Sequence, residues 1–501
     1  MSDMLNKKYD VAIIGSGAGG GTLAYALAKQ GRKVLLIERG YHLPQEEDNL
    51  SDNGVFGRKY ATTEEMDICG YTKDVLVHAY VGGETKLYGA ALYRLREEDF
   101  GQLSFPDGIS PAWPISYQDL ETYYTRAENL YKVHGNADDD TTEPPHSEPY
   151  PYPAIEHEPT ILSLVKRLQK QGLHVHSIPR GIDLAENGNC SFCTTCDGYA
   201  CPTNGKLDTE IACIQPALET GNLTLITQAT CHKLITDESG EQITGMELEH
   251  GNDIHSVDAR IYVVACGILH SPALLLRSAN HAHPNGLANS SGQVGKNLAG
   301  HGAAIFFLPG LKKLPDIHQK TFAVNDLYLG NDKDKFPLGS MQALGRIPIR
   351  LQVGKWLAPI AEKITERSIM CFIMCEAWPD PNNRVTLNEK NQIKVEYEFN
   401  NIKGFRTLRS RFLRIFRKAG YLAAICSRQP MGGIPWHPVG TVRFGHDPKT
   451  SVLDTFCKTH DVNNLYVVDS CFMPTAGAIN ISLTVMAQAL RVADHLHEKL
   501  S

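Results

Sequence analysis

The stretch YDVAIIGSGAGGGTLAYALAKQGRKVLLIERG, residues 9–40, constrains this chain more than any other. An apolar run from Val11 to Ile14 enters a glycine turn, a helical pattern follows over about Thr22 to Lys29, and a second apolar run spans Lys33 to Ile37. Short apolar runs bounded by turn signals read as strands buried on both faces, so the stretch is one βαβ unit of a parallel sheet. Gly15, Gly17 and Gly20 fit the pattern G-x-G-x-x-G. The first permits a tight turn, the second lets backbone N–H groups approach a pyrophosphate, and the third lets helix pack on strand. Glu38 closes the second strand, where a carboxylate accepts from ribose hydroxyls and repels a 2′-phosphate. The unit predicts a dinucleotide, FAD or NAD rather than NADP.

A second strand–glycine–helix crossing is expected in RIYVVACGILHSPALLLRSA (260–279), so the sheet is assembled from segments far apart in the chain. VGGETKLYG (81–89), with Gly82 and Gly83, suits a backbone passing close to a bound ring system. At 501 residues the chain exceeds what one core holds, and two domains are expected. Its 49 basic and 56 acidic residues give a net charge of −7, and no run of lysine or arginine reads as a stripe for successive phosphates. That argues against nucleic acid as a partner. No apolar run approaches the roughly 18 residues that cross a bilayer. The opening MSDMLNKKYDVAIIG lacks a leader pattern. No integral membrane segment and a cytoplasmic location are expected, with export only alongside a partner subunit carrying a signal. NADDDTTEPPHSEPYPYPAIEHEP (136–159), acidic and proline-rich, reads as an exposed connection.

Two later blocks carry chemistry. PWHPVGTVRFG (435–445) sets His437 ahead of Gly440, and AGAINISLT (476–484) holds one asparagine, Asn480, in a small apolar run. A neutral imidazole can take an alcohol proton near pH 7, whereas an amide can hold the oxygen but cannot act as a base. Other blocks accompany them: ERG at 38–40, AWPISYQDLETYYTRAENLYKVHG (112–135), GQVGKNLAGH (292–301), NNRVTL (382–387) and NNLYVVDSCFMPTAGAINISLTVMAQALRVADHL (463–496). Together they make the chain resemble, over nearly its whole length, the glucose–methanol–choline (GMC) oxidoreductases, closest to bacterial FAD-dependent sugar and polyol dehydrogenases.

The resemblance implies an α/β fold in two parts. A Rossmann-like FAD-binding domain of the GMC type is expected from segments 1–104, 206–301 and 431–501. An α+β substrate domain with a large antiparallel sheet is expected from 302–430 and from 105–205, which also holds cap segments and the cysteine run. His437 and Asn480 would meet over the flavin as base and oxygen-orienting group, with isoleucine at 481 where the family usually has proline. Cofactor contacts are implied for Gly15, Gly17, Gly20, Glu38, Gly82, Gly83, Asp469 and Ser470, the backbone of Asp469 lying along the pyrophosphate. Leu87 falls where members with covalently linked flavin carry histidine, so non-covalent FAD is expected. The implied reaction oxidises a CH–OH group of a sugar, cyclitol or polyol by proton abstraction and hydride transfer to flavin N5. The alternatives are an oxygen-using oxidase of a sterol or long-chain alcohol and a non-catalytic flavin-binding subunit. His301 and His446 fall in motif blocks but match no reactive position, and read as structural.

Cys190, Cys193, Cys196 and Cys201, in NCSFCTTCDGYACP (189–202), follow C-x₂-C-x₂-C-x₄-C-P, one residue longer than a ferredoxin run. They are candidate iron–sulfur ligands, with tetrathiolate zinc and unliganded loop thiols as the other readings. A cluster would pass electrons singly to an acceptor other than oxygen, either an electron-acceptor protein or a small partner subunit. Of the 13 cysteines, the other nine read as core residues.

Overall fold

The structure, a computed structural model, describes residues 7–52, 54, 56, 58–193, 196–315, 320–351 and 353–501. Residues 1–6, which open the stretch read for a leader, and Thr194 and Thr195 inside the cysteine run lie outside the described residues. Five strands form a parallel sheet in the order Leu223–Ile226, Val34–Ile37, Tyr9–Ile14, Ala259–Val264 and Leu465–Val467. Its inner strands are almost wholly buried, with helix Ala18–Lys29 and the antiparallel strand Ile243–His250 packed on the sheet. Ala18–Lys29 packs against the carboxy-terminal helix Ser482–Leu500 on one side. The first helix begins at Ala18, a turn before the apolar pattern shows it, since the glycines of its first turn carry no periodic signal.

A second, antiparallel sheet has the order Ile425–Cys426, Ala299–Pro309, Ser368–Ala377, Ser340–Leu344, Phe322–Val324 and Val175–Ser177, and Trp436–Val439 joins it beside Ala299–His301. The face carrying Phe306 packs on helix Ile402–Lys418, the rings of Phe306 and Phe416 lying 5.2 Å apart. Side chains alternate, so His301, Ala303, Ile305 and Phe307 share the opposite face with their partners Glu376, Met374, Phe372 and Met370. Gln342, opposite Phe372, lies on that face too.

Several expectations need correction. The boundaries at 301/302 and 430/431 are crossed by the antiparallel sheet, which takes in Ala299–His301 and Trp436–Val439. The strands Arg384–Leu387 and Ile393–Glu396 join a separate sheet with Thr62–Ile68 and Tyr71–Val77. Basic residues three or four apart do line up on helix Ile402–Lys418, where Lys403, Arg406, Arg414 and Arg417 are exposed and no acidic residue occurs. Residues 136–159 are tied down rather than free: the buried guanidinium of Arg96 pairs with Asp140 at 2.7 Å and Glu143 at 3.2 Å. Cys69 is exposed in a turn rather than in the core, with φ +54°. Among the described residues no helix is long and apolar enough to cross a membrane.

Candidate active site

The carboxyl ends of three parallel strands run into Gly15, Ala265–Gly267 and Val468–Asp469, the edge at which such sheets bind ligands. Close approach explains the glycines here. A methyl on Gly20 would collide with the carbonyl oxygen of Gly15, whereas a methyl on Gly17 would meet nothing within 4 Å. Helix Ala18–Lys29 starts at Gly17 without a side-chain cap, so its first N–H groups are available to an anion. Glu38 fastens this turn: its carboxylate accepts from the N–H (3.2 Å) and Oγ (2.6 Å) of Ser16 and from the N–H of Gly40 (2.9 Å). The Gly82 N–H donates to Ser16 Oγ at 3.1 Å, and Gly83 stands against Gly17. The Gly82–Gly83 pair thus abuts the phosphate-type turn, where a ring-side position was expected. An uncapped helix start over open space, held by a buried carboxylate and two glycine turns, fits a dinucleotide such as FAD.

Asp469 ties the second glycine turn to the last strand. Its carboxylate accepts from Gly267 N–H at 2.9 Å, Ser271 Oγ at 2.5 Å and Cys471 N–H at 2.9 Å. Ser470 opens the short helix Ser470–Phe472. From there the chain reaches Asn480 through a segment pinned at each step. Trp113 Nε1 donates to Thr475 Oγ1 at 2.7 Å, Tyr328 OH accepts from Ala478 N–H at 2.9 Å, and Ser340 Oγ donates to the Ala478 carbonyl at 2.6 Å. Tyr328 in turn donates to buried Asp99 at 2.8 Å.

This brings Asn480 to His437, Nδ2 to Nε2, at 3.4 Å. Gln342 Nε2 donates to Asn480 Oδ1 at 2.7 Å and so turns the amide's N–H face to the imidazole. His437 sits in a β-bulge: two residues, His437 and Pro438, oppose the single Gly300 between the pairs Ala299–Val439 and His301–Trp436. The bulge and a φ of +45° at His437 re-aim its ring toward the strand it faces. There its Nδ1 lies 3.0 Å from Nδ1 of His301. His301 is fully buried, and its Nε2 lies 2.9 Å from the carbonyl oxygen of Gly477. Burial lowers the His301 pKa to about 4. Burial, then the charges of His301 and Lys320, holds His437 well below the ordinary histidine value. Lys320 is itself buried, paired with Asp197 at 2.9 Å. His301, Gln342 and Lys320 are absent from the sequence-derived site; GQVGKNLAGH signalled His301, and nothing local marks the other two. His446 is exposed and bonds the carbonyl of Pro114, apart from the pair.

The cysteine run does not form a metal site among the described residues. No group of three or more histidine, cysteine, aspartate or glutamate side chains there is placed to hold an ion. The thiols are close enough that Cys196, Cys201 and Cys190 help burial push Cys193 up to about 11, which favours the protonated form. A buried lysine organises the loop instead: Lys206 Nζ donates to the carbonyls of Tyr199 (2.6 Å), Tyr88 (2.9 Å) and Cys196 (3.4 Å), and its N–H reaches Cys201 Sγ at 3.3 Å. The four residues as described do not fit a cluster.

The GMC oxidoreductase family models match residues 75–303 and 379–489, and a Rossmann-like NAD(P)-binding domain matches 13–44. The 6‴-hydroxyparomomycin C oxidase of Streptomyces lividus is 30% identical, with 98% of this chain and 92% of that protein covered. The fructose dehydrogenase large subunit of Gluconobacter japonicus is 26% identical, with 97% of each covered. The crystal structure of pyridoxine 4-oxidase from Mesorbium loti superposes with a TM-score of 0.67 at 18% identity, covering 98% of this chain and 99% of that one. With both family models matched over most of its length and a 30% identical relative along nearly all of it, the chain belongs to the GMC oxidoreductases, FAD-binding enzymes that act on CH–OH groups.

Proposed function

We propose that the chain oxidises a CH–OH group to the carbonyl with FAD bound non-covalently, His437 Nε2 taking the hydroxyl proton and Asn480 Nδ2 holding the alcohol oxygen. Bound FAD supplies the acceptor for the hydride that leaves the carbinol carbon. Loss of the hydroxyl proton is what makes that carbon a hydride donor, and a positioned base contributes about 10²–10⁴ in rate. His437 suits the task because its environment keeps the imidazole neutral. Asn480, its amide fixed by Gln342, contributes orientation rather than proton transfer. Leu87 is buried and has no atom that could bond to a flavin, which supports a non-covalent cofactor. The meeting of His437 and Asn480, 43 residues apart in the chain, carries this reading.

A sugar, cyclitol or related polyol is supported as substrate by the relatives named for 6‴-hydroxyparomomycin C and fructose. A second reading, an alcohol on an apolar body, is supported by the sheet face beside Gln342. There Ala303, Leu344, Met370, Phe372 and Met374 offer no polar partner, and Phe372 lies 5.1 Å from Trp436, ring to ring. Hydroxyls desolvated against such a wall would lose hydrogen bonds. A non-oxygen acceptor reached through a partner subunit is supported by the relative named as a dehydrogenase large subunit. An iron–sulfur cluster draws on cysteine spacing alone; stoichiometric iron and acid-labile sulfide in anaerobically purified protein would restore it. The test of the reaction is anaerobic. Purified protein is expected to be yellow and to bleach with one member of a panel running from fructose and aminocyclitols through diols to benzylic and long-chain alcohols. Full flavin content with no bleaching would favour a flavin-binding protein without turnover.

A further inference from the structure

We infer that His301 is a positioning residue that sets the tautomer of His437; the inference rests on His437 being the base. The hydrogen-bond network assigns the protons. A backbone carbonyl only accepts, so His301 Nε2, 2.9 Å from the Gly477 oxygen, carries a hydrogen. His301 is neutral, since burial lowers its pKa to about 4. Its Nδ1 is therefore bare and must accept from its neighbour, so the hydrogen of the 3.0 Å Nδ1–Nδ1 contact belongs to His437. That leaves His437 Nε2 bare, aimed at the Asn480 amide N–H at 3.4 Å, where an alcohol oxygen would bring its proton.

The opposite tautomer of His437 would place two lone pairs face to face at 3.0 Å and put a hydrogen on Nε2, where the substrate's proton must go. When Nε2 takes that proton, the bond to His301 is kept and the Asn480 amide N–H turns from Nε2 to the alcohol oxygen. His437 Nδ1–H continues to donate to His301 Nδ1, so the ring keeps its orientation through the transfer. The long strand sets this geometry: the bulge opposite Gly300 turns His437 back, and the turn at Gly477, with φ +57°, presents the carbonyl that locks His301. A role by contact with a carbonyl and one imidazole also explains why a histidine, and not an apolar residue, occupies a fully buried strand position.

The experiment compares His301→Leu, His301→Asn and His437→Ala with wild type as FAD-loaded proteins. Flavin content and thermal midpoint are checked first. Rapid-mixing rates of flavin reduction are then followed across pH, and the ring ¹⁵N spectrum of histidine-labelled protein reads the tautomer directly. Wild type should show His437 protonated at Nδ1 and bare at Nε2. His301→Leu should lose that signature and slow reduction by about 10²-fold with little change in the substrate concentration for half-maximal rate. His301→Asn, whose Oδ1 can still accept from His437 Nδ1–H, should recover part of the rate and of the signature. Should the leucine variant not fold, the wild-type spectrum still decides. Wild-type rates in a flavin-replete leucine variant, an asparagine variant no faster than the leucine one, or a wild-type spectrum with the hydrogen on His437 Nε2 would overturn the inference. A slow His437→Ala beside a fast His301→Leu would reject this role alone. A fast His437→Ala would instead reject the base assignment on which it stands.

Discussion

At the residue scale, the site is a short chain of hydrogen bonds whose every member is held by a partner. Gln342 holds Asn480, His301 holds His437, and the Gly477 carbonyl holds His301. Asn480→Ala should therefore slow turnover less than loss of the base, by about 10-fold, because it removes orientation and leaves the proton acceptor in place. Steady-state kcat/KM with the substrate found by anaerobic screening measures this. The pH dependence follows from the direction of the His437 shift. Its pKa lies well below 6.5, so the base is neutral through the physiological range and is lost only on acidification. The rate of flavin reduction should be flat near neutrality, with an acid limb below the ordinary histidine value. A limb centred at or above 6.5 would contradict this environment for His437. His437 and Asn480 stand out in the sequence because their blocks match positions the family resemblance marks as reactive. His301 was not legible as functional, because its role comes from a bulge that brings it to His437 across 136 residues.

At the element scale, the glycine turns divide into those that serve the fold and one that serves the ligand. Gly20 gives the helix room against the Gly15 carbonyl, whereas Gly17 borders open space with an allowed φ of −69°. Gly17→Ala should leave the thermal midpoint of the flavin-free protein unchanged yet weaken FAD binding by roughly 10- to 100-fold, or about 1.4–2.8 kcal/mol. Gly20→Ala should lower stability itself by about 1–3 kcal/mol through overpacking. Flavin titration and thermal melts of both variants separate these outcomes. The βαβ unit was legible because its glycine spacing and apolar runs are local. The cysteine run shows the opposite: its spacing was clear, but spacing alone does not say where the sulfurs point, and Lys206 organises the loop through carbonyls that no motif announces.

At the scale of the whole molecule, a parallel sheet supplies the glycine turns and an antiparallel sheet supplies a wall that carries His301, Gln342 and His437. The wall's buried acid makes stability depend on pH. Glu376, cross-strand from His301 and accepting from Ser110 Oγ at 2.6 Å, is raised by burial to about 8. The folded protein then keeps a proton that the unfolded chain releases near pH 4.5, so stability is full below that value and is lost as pH rises through 8. At pH 7 this costs on the order of 3 kcal/mol. Glu376→Gln should flatten the fall in thermal midpoint between pH 6 and 8; an unchanged slope would contradict a protonated Glu376. That the parallel sheet joins distant segments was readable from the βαβ unit and the second glycine crossing, whereas its strand order was not. Membership of the antiparallel sheet was harder to read, because strands such as Trp436–Val439 are short and carry their site residue out of register.

The proposed reaction stands on His437 taking the proton of the alcohol as its carbon is oxidised. Stopped-flow reduction of bound FAD under anaerobic conditions, with one substrate and matched flavin content, tests it most directly in wild type and His437→Ala. The rate should be lower by about 10² or more in the variant while the flavin stays bound. Equal rates in the two proteins would contradict it.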